Sequence, residues 1–131
     1  MLTVPSRLSD ELEELIYRTI GCCIAVHRAL GPGLLEGIYS RAICRELESE
    51  NISFETQKVY PVVYREQLLC EQRLDLVVEE QLVLEIKSVE HLNRIHHAQL
   101  LSYLRVSNIA VGLLINFNVP VLQEGLKRLV L

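Results

Sequence analysis

Residues 74–87 read LDLVVEEQLVLEIK, and this stretch decides the fold class because it contains two strand-sized apolar runs. The polar connector at residues 79–81 separates the runs and predicts a turn between adjacent strands. Charged residues interrupt both runs: Asp75 lies in the first, and Glu85 and Lys87 lie in the second. Burying an unpaired charge is costly, so charges at these positions indicate a functional group of residues.

The predicted strands bring these three charges together. Side chains alternate between the two faces of a strand, so Glu85 and Lys87 project from the same face. The turn makes the strands antiparallel, and their register can place Asp75 beside Glu85. Two carboxylates at such a short distance repel each other unless a proton or a cation joins them. The pattern therefore indicates a candidate metal-dependent phosphodiesterase centre.

A hard divalent cation such as Mg²⁺ suits this centre because it takes oxygen ligands and leaves positions for water and substrate phosphate. Lys87 would neutralise developing charge or position the attacking water. A structural interpretation is also open. Asp75 and Glu85 would then pair with Arg73 and Lys87 across exposed strand faces, as happens in many half-buried sheets.

Hydrophobic periodicity predicts the remaining elements. Apolar residues recur at three- and four-residue steps over residues 9–30, and acidic residues fill the first turn, which is typical of a helix N-terminus. The helices are predicted over 9–30, 35–50 and 93–106. The strands are predicted over 54–64, 68–78, 82–89 and 109–116, with a short closing segment over 121–131. The order ααβββαβ, without a linker or repeat, predicts a single α/β sandwich domain spanning residues 1–131.

The helix patterns also predict which residues face the core. In the first helix these are Leu12, Leu15, Ile16, Thr19, Ile20, Cys23, Val26 and Leu30, and in the second they are Ile38, Ala42, Ile43 and Leu47. The four cysteines fit no zinc-binding spacing and are interpreted as reduced core thiols. They are Cys22, Cys23, Cys44 and Cys70.

Length and composition narrow the function classes. A chain of 131 residues makes one domain with a core large enough to fold without disulfides. The formal net charge of −4 gives no overall basic field, so nucleic acid would have to bind a local patch. The apolar runs are too short to span a membrane, and the first ten residues lack the pattern of a secretory signal. We therefore expect a cytoplasmic protein.

Two motifs together point to a known family. Gly33, Glu36 and Tyr39 are spaced as Gly-x-x-Glu-x-x-Tyr at the start of the second predicted helix, and Asp75 precedes the triplet at residues 85–87. With these motifs the chain resembles the GxxExxY proteins of the PD-(D/E)XK nuclease-like superfamily. The resemblance extends from residue 9 to the C-terminus, and it departs from the motif in the superfamily's name at Leu74, where that motif has proline.

Two further elements extend the resemblance. Gln99 and Tyr103 match the Gln-x-x-x-Tyr element of RecB-like nucleases, and residues 112–117 look like the last core strand of the family. The resemblance implies a restriction-endonuclease-like α/β fold with a mixed central sheet flanked by helices. It also implies Mg²⁺ or Mn²⁺ as the cofactor. The implied metal ligands are Glu36, Asp75 and Glu85, and the implied catalytic residues are Asp75, Glu85, Lys87, Gln99 and Tyr103.

Some of these roles have structural alternatives. Gln99 and Tyr103 are four residues apart and share one helix face, which could reach the strand of Lys87 or form an ordinary polar face. The position of Glu36 in a first helical turn is also favoured by the helix dipole alone. His27 resembles the motif-one histidine of RecB-like nucleases, but its inward-facing position favours a core or helix-end histidine.

The expected activity is divalent-metal-dependent hydrolysis of phosphodiester bonds in DNA or RNA, with nucleic acid as the partner. The alternative is a catalytically inactive nuclease-like module that binds nucleic acid or a protein. The acidic balance favours the alternative, as does the low aromatic content, which includes two Phe and no Trp. A homodimer is also an open expectation, because many small enzymes of this fold act as pairs.

Overall fold

The computed structural model describes residues 6–131. Residues 1–5, which belong to the stretch analysed above for a secretory signal, lie outside the described residues. The helices are α1 (Asp10–Leu30), α2 (Glu36–Ser49) and α3 (Arg94–Ser107). The strands are β1 (Phe54–Tyr64), β2 (Gln67–Val78), β3 (Leu82–Lys87), β4 (Val111–Asn116) and β5 (Leu126–Val130).

Side-chain caps fix the starts of two helices. Ser9 precedes α1, and its hydroxyl accepts a hydrogen bond of 3.1 Å from the Leu12 amide. Asn93 precedes α3, where its side chain and that of His96 form a reciprocal capping box. His96 is therefore part of a helix end.

None of the helices in residues 6–131 combines the length and the apolar character that a membrane span requires.

The five strands form one mixed sheet in the order β1-β2-β3-β4-β5. β1, β2 and β3 form the expected antiparallel meander, and α3 is the crossover that makes β4 parallel to β3. β5 pairs antiparallel with β4. The sequence prediction left β5 inside an irregular closing segment, because a five-residue strand directly after a short 3-10 helix has little periodicity of its own.

Two buried clusters lie on opposite faces of the sheet. One contains apolar residues of α1 and α2 packed on Leu76, Leu84 and Leu113. The other contains Leu100 and Tyr103 of α3, with residues from the neighbouring strands. The sheet is therefore covered by α1 and α2 on one face and by α3 on the other.

Several predicted core positions differ in the structure. Leu30 and Ile38 were both expected to face inward, but each is 41% exposed. In α2 the buried residues are Tyr39, Ile43 and Leu47, which form a stripe with four-residue spacing. Ile43 and Leu47 were predicted correctly. Tyr39 was missed because it is adjacent to Ile38, and periodicity alone favoured the aliphatic residue.

The cysteine prediction is correct for two residues and wrong for one. All four thiols are free; Cys22 and Cys23 are buried in the core, and Cys44 is half-buried. Cys70 is exposed, because it lies in the part of β2 that extends beyond β3 and has no packing layer over it.

Candidate active site

The candidate site lies where β2 separates from β3. The ladder between these strands pairs Val78 with Leu82, Val77 with Val83 and Leu76 with Leu84, and it ends there. The same register would next pair Asp75 with Glu85. Instead the Asp75 carboxylate accepts a hydrogen bond of 3.0 Å from the Ile86 amide, replacing a backbone partner. The sequence-based register was therefore right, although Asp75 meets β3 through its side chain.

The alternation of side chains along β2 breaks at Asp75. Leu74 packs in the cluster with α3, whereas Leu76 packs in the cluster with α1 and α2. Residues two apart in a regular strand share a face, so the strand must exchange its faces between these two positions. Asp75 lies at the exchange, which explains why its carboxylate can turn towards the backbone of β3.

Glu85 is the most strongly perturbed ionisable group in the site. Its side chain is 4% exposed, and its Oε2 atom is buried without a hydrogen-bond partner among residues 6–131. Burial, followed by contact with the Asp75 carboxylate, raises the pKa of Glu85 to about 9. Lys87 lowers this pKa and Glu36 raises it, so both residues lie close enough for their charges to act on Glu85.

Helix α3 contributes Gln99 and Tyr103 to the site. Lys87 Nζ donates a hydrogen bond of 3.3 Å to Gln99 Oε1. Tyr103 is buried beside them, and burial, with the charges of Glu85 and Asp75, raises the pKa of its hydroxyl. The structure thus brings Gln99 and Tyr103 to the strand that carries Lys87, as their spacing on one helix face allowed.

The Gly-x-x-Glu-x-x-Tyr stretch forms the turn that presents Glu36. Gly33 has φ +104, a conformation that L side chains rarely adopt. The fully buried Tyr39 hydroxyl donates to the Gly31 carbonyl at 2.5 Å and accepts from the Leu34 amide at 3.1 Å. The Ser88 hydroxyl donates to the Leu34 carbonyl at 2.5 Å, which ties the same loop to the end of β3. These contacts fix Leu34, which lies two residues before Glu36, the first residue of α2.

Glu36 and Asp75 face each other across an open polar cleft of about 250 Å³. The cleft is also lined by Gly37, Ser40, Gln57 and Ile86. Sequence reasoning identified neither Ser40 nor Gln57. Ser40 is four residues after Glu36 on α2, and that spacing on one helix face was a signal that could have indicated it.

The donor set suits a hard cation. Asp75 and Glu85 are adjacent carboxylates, and the partnerless Glu85 Oε2 atom is a buried acceptor that a cation would satisfy. No group of three or more His, Cys, Asp or Glu side chains in residues 6–131 has a metal-binding arrangement. Mg²⁺ commonly binds through one or two carboxylates and retains several waters, so the carboxylates present fit that ion.

Two alternatives from the sequence can be compared with the structure: ion pairs of the two carboxylates with Arg73 and Lys87, and a core position for His27. Within residues 6–131, the ion pairs join other residues, and neither Asp75 nor Glu85 pairs with Arg73 or Lys87 at salt-bridge distance. His27 is buried, and its Nε2 atom lies 2.8 Å from the Val119 carbonyl. It is a hydrogen-bonded core histidine and does not line the carboxylate cleft.

The fold and the site together define an α/β protein with a centre of two carboxylates and a lysine. A family model described as the PD-(D/E)XK nuclease superfamily matches residues 13–129, and the chain belongs to this superfamily. No curated protein and no solved structure matches the chain. The narrower GxxExxY assignment stays a resemblance based on the motif at residues 33–39.

Proposed function

We propose that the chain is a divalent-metal-dependent nuclease that hydrolyses phosphodiester bonds of DNA or RNA. Membership of the nuclease superfamily supports a nuclease and a nucleic-acid partner. The observation that carries the metal dependence is the buried Glu85 carboxylate, which lies against Asp75 and has one oxygen without a hydrogen-bond partner in the described part of the chain. Such a pair needs a proton or a cation between its two carboxylates, and a bound divalent cation would replace the proton.

Each residue has a distinct part in this proposal. Asp75 and Glu85 would hold Mg²⁺ or Mn²⁺, and Glu36 would complete the ligand set through water across the cleft. When bound, the metal supplies Lewis-acid stabilisation of the phosphate charge and lowers the pKa of a coordinated water. Lys87 orients the attacking water or neutralises the developing charge.

The third helix has a positioning part. Gln99 accepts the hydrogen bond of Lys87, and this contact fixes the ammonium group at the end of β3. Tyr103 packs from α3 onto the sheet beside Glu85 and Asp75, where it would limit the access of water to the two carboxylates.

Cleavage of labelled DNA and RNA in Mn²⁺ tests this function. Lys87→Ala removes the proposed catalytic ammonium, and a loss of more than about a hundredfold in rate is expected, as for removal of a charged transition-state contact. Lys127→Ala is the matched control, because Lys127 is exposed on β5. Cleavage by Lys87→Ala at the wild-type rate would exclude the assigned role.

A second candidate is a catalytically inactive module that binds nucleic acid or a protein. The observation that favours it is that no three metal-binding side chains in residues 6–131 form a group with metal-binding arrangement. Under this hypothesis Asp75→Asn and Lys87→Ala leave the cellular phenotype of the protein unchanged. Under the nuclease hypothesis the same variants behave like a deletion of the gene.

We also propose that the chain forms a homodimer through the free edge of β2. Between Gln67 and Leu74 the β2 edge facing away from β1 is paired with no strand among residues 6–131, and unpaired edges recruit further strands. Exposed apolar side chains of the β1–β2 hairpin flank this edge: Val63, Tyr64, Leu68 and Leu69. An antiparallel pairing of two β2 strands centred on Gln72 sets Glu71 opposite Arg73 of the second copy, in both directions.

Light scattering after size-exclusion chromatography tests the dimer. Arg73→Glu places two acidic residues opposite each other in both halves of the interface, so the dimer should dissociate. The double variant Glu71→Arg/Arg73→Glu restores opposite charges and should restore the dimer. A wild-type monomer at all concentrations, or a dimer unaffected by Arg73→Glu, would rule out this interface.

We also propose a single domain in the cytoplasm. Two buried clusters on one continuous sheet support the single domain. Four free cysteines, with no disulfide among them, support a reducing compartment.

A further inference from the structure

Gln57 has a backbone conformation that is uncommon for its position. It lies in the middle of β1 and has φ +52, which is in the left-handed region. Every other non-glycine residue with positive φ in residues 6–131 lies in a turn or at a helix end. A conformation of this kind costs free energy and persists only where the surrounding structure enforces it, which is common at functional sites.

The pairing register locates the strain directly opposite the candidate site. Thr56 pairs with Leu76 and Lys58 pairs with Leu74, so Gln57 and Asp75 lie opposite each other, at a position between these pairs where the two strands do not pair. The register is the same on both sides, and no extra residue is inserted. Gln57 therefore lies opposite the residue where β2 exchanges its faces, and its left-handed backbone gives β1 the matching change of direction.

The β1 side of this exchange can be followed in the packing. Phe54 packs against the cluster of α1 and α2, whereas Tyr60 packs against the cluster of α3. These residues are six apart and would share a face in a regular strand. The irregular position between them is Gln57, so the exchange on β1 and the exchange on β2 occur at positions opposite each other.

The exchange places the Gln57 side chain at the carboxylate cleft. Gln57 is exposed, and it lines the cleft with Glu36, Ser40 and Asp75. Its amide is neutral and offers two N–H donors beside two acidic groups. A neutral donor in this setting suits a phosphate oxygen, because it can bind the anion and adds no negative charge that would repel it. Gln and Ser side chains commonly donate to phosphate oxygens of bound nucleic acid.

We propose that Gln57 is a substrate-contact residue whose amide donates a hydrogen bond to a phosphate oxygen of the nucleic-acid backbone. Its left-handed backbone conformation presents the amide at the cleft, while Asp75 opposite is turned towards β3. This inference rests on the proposed nuclease function, because it takes nucleic acid as the ligand of the cleft. It adds a residue of β1 to a site otherwise built from β2, β3 and two helices.

The test measures binding of labelled DNA and RNA oligonucleotides in Mn²⁺, in the Lys87→Ala background so that cleavage does not interfere. Adding Gln57→Ala should weaken binding about ten- to a hundredfold, the effect of losing one hydrogen bond to a charged group. Adding Gln57→Glu should weaken it further through repulsion of the phosphate. Affinity for Mn²⁺ alone, measured by calorimetry, should stay at the Lys87→Ala value in the Gln57→Ala variant.

A glycine variant separates the amide from the backbone strain. Gln57→Gly removes the side chain and also relieves the left-handed strain, so it should bind oligonucleotides as weakly as Gln57→Ala while unfolding at a higher denaturant concentration than that variant. Arg65→Gly is the matched control, because Arg65 has φ +48 in the hairpin turn away from the cleft. It should be stabilised in the same way and should bind oligonucleotides like its parent.

Two results would overturn the proposal, and they are distinguishable. If the Gln57→Ala variant binds oligonucleotides as tightly as its Lys87→Ala parent, Gln57 makes no substrate contact, and the proposed nuclease function is unaffected. If neither the parent nor the wild type binds any oligonucleotide, the nuclease function itself fails and the inference fails with it.

Discussion

The Asp75 carboxylate accepts a hydrogen bond of 3.0 Å from the Ile86 amide at the point where β2 leaves β3. This contact satisfies a backbone donor that the interrupted ladder would otherwise leave without a strand partner. It also holds the Asp75 carboxylate beside Glu85, which lies one residue before Ile86. The Asp75 side chain therefore has two roles: it pairs with the Ile86 amide of the sheet, and it places a carboxylate beside Glu85.

Replacing Asp75 separates these two contributions. Asp75→Asn and Asp75→Ala both remove the charge, but only asparagine keeps an oxygen that can accept from the Ile86 amide. The alanine variant should be less stable than the asparagine variant by about 1–3 kcal/mol, the cost of leaving a buried donor unpaired. Urea denaturation of both variants measures this difference, and equal stabilities would show that the hydrogen bond contributes nothing.

The raised pKa of Glu85 predicts how stability depends on pH. Burial and Asp75 raise this pKa from 4.5 to about 9, with Lys87 opposing the shift and Glu36 adding to it. The folded state therefore binds a proton that the unfolded state has released, and the metal-free protein should lose stability as pH rises from about 5 to about 9. Tyr103 beside the pair titrates above this range, because its own pKa is raised.

Thermal unfolding across this pH range checks the prediction. Glu85→Gln keeps the side-chain volume and cannot ionise, so the decline in stability should be smaller in this variant. Mn²⁺ should reduce the decline in the wild type, since the cation replaces the proton between the two carboxylates. A wild type and a Glu85→Gln variant with parallel pH profiles would contradict the assignment of Glu85.

Tyr39 should matter for stability through its hydroxyl. The hydroxyl is buried and joins the Gly31 carbonyl to the Leu34 amide, while the ring stacks on Phe117 with centroids 4.6 Å apart. Tyr39→Phe keeps the stacking and leaves both backbone groups without this partner, so a loss of about 1–3 kcal/mol is expected. Tyr17→Phe is the control, because Tyr17 is 76% exposed.

Tyr39→Phe should also weaken Mn²⁺ binding, by more than its loss of stability explains. The loop held by Tyr39 positions Glu36 at the start of α2, so its loosening should weaken Mn²⁺ affinity at temperatures where the variant is fully folded. An Mn²⁺ affinity equal to that of the wild type would show that Glu36 does not depend on this loop.

The cysteines should differ widely in reactivity. Burial raises the pKa of the Cys23 thiol to about 12 and also raises the pKa values of Cys22 and Cys44. Cys70 is exposed on the β1–β2 hairpin. One equivalent of a thiol reagent should therefore react rapidly with the native protein, and Cys70→Ser should abolish that rapid phase. Rapid labelling of Cys23 in native conditions would contradict its place in the core.

Much of the fold was predictable because it depends on local patterns. The connectors at residues 65–67 and 79–81 are short, so the meander of β1, β2 and β3 followed from the sequence. The turn at 79–81 also fixes the register, and with it the approach of Asp75 to Glu85. Lys87 and Gln99 are joined by a hydrogen bond that helix and strand periodicity made possible.

The remaining features depend on contacts between distant parts of the chain. The sheet is extended by β5, whose short segment is ordered only by pairing with β4. Tyr39 is buried because Phe117, far away in sequence, stacks on its ring. The strained backbone of Gln57 could not be predicted from the sequence. The pattern of side chains along β1 gives no sign that both strands exchange faces where Gln57 lies opposite Asp75. Such features require the folded structure.

The most direct test of the central claim is calorimetric titration of Mn²⁺ into the wild type and Asp75→Asn, since it requires no knowledge of the substrate. Asp10→Asn is the control: the chain has only two aspartates, and Asp10 lies in the first turn of α1. Saturable binding by the wild type and the control, lost in Asp75→Asn, is the result that the proposed centre predicts. Absence of binding by the folded wild type, or binding unchanged in Asp75→Asn, would contradict a carboxylate metal centre at the end of β3.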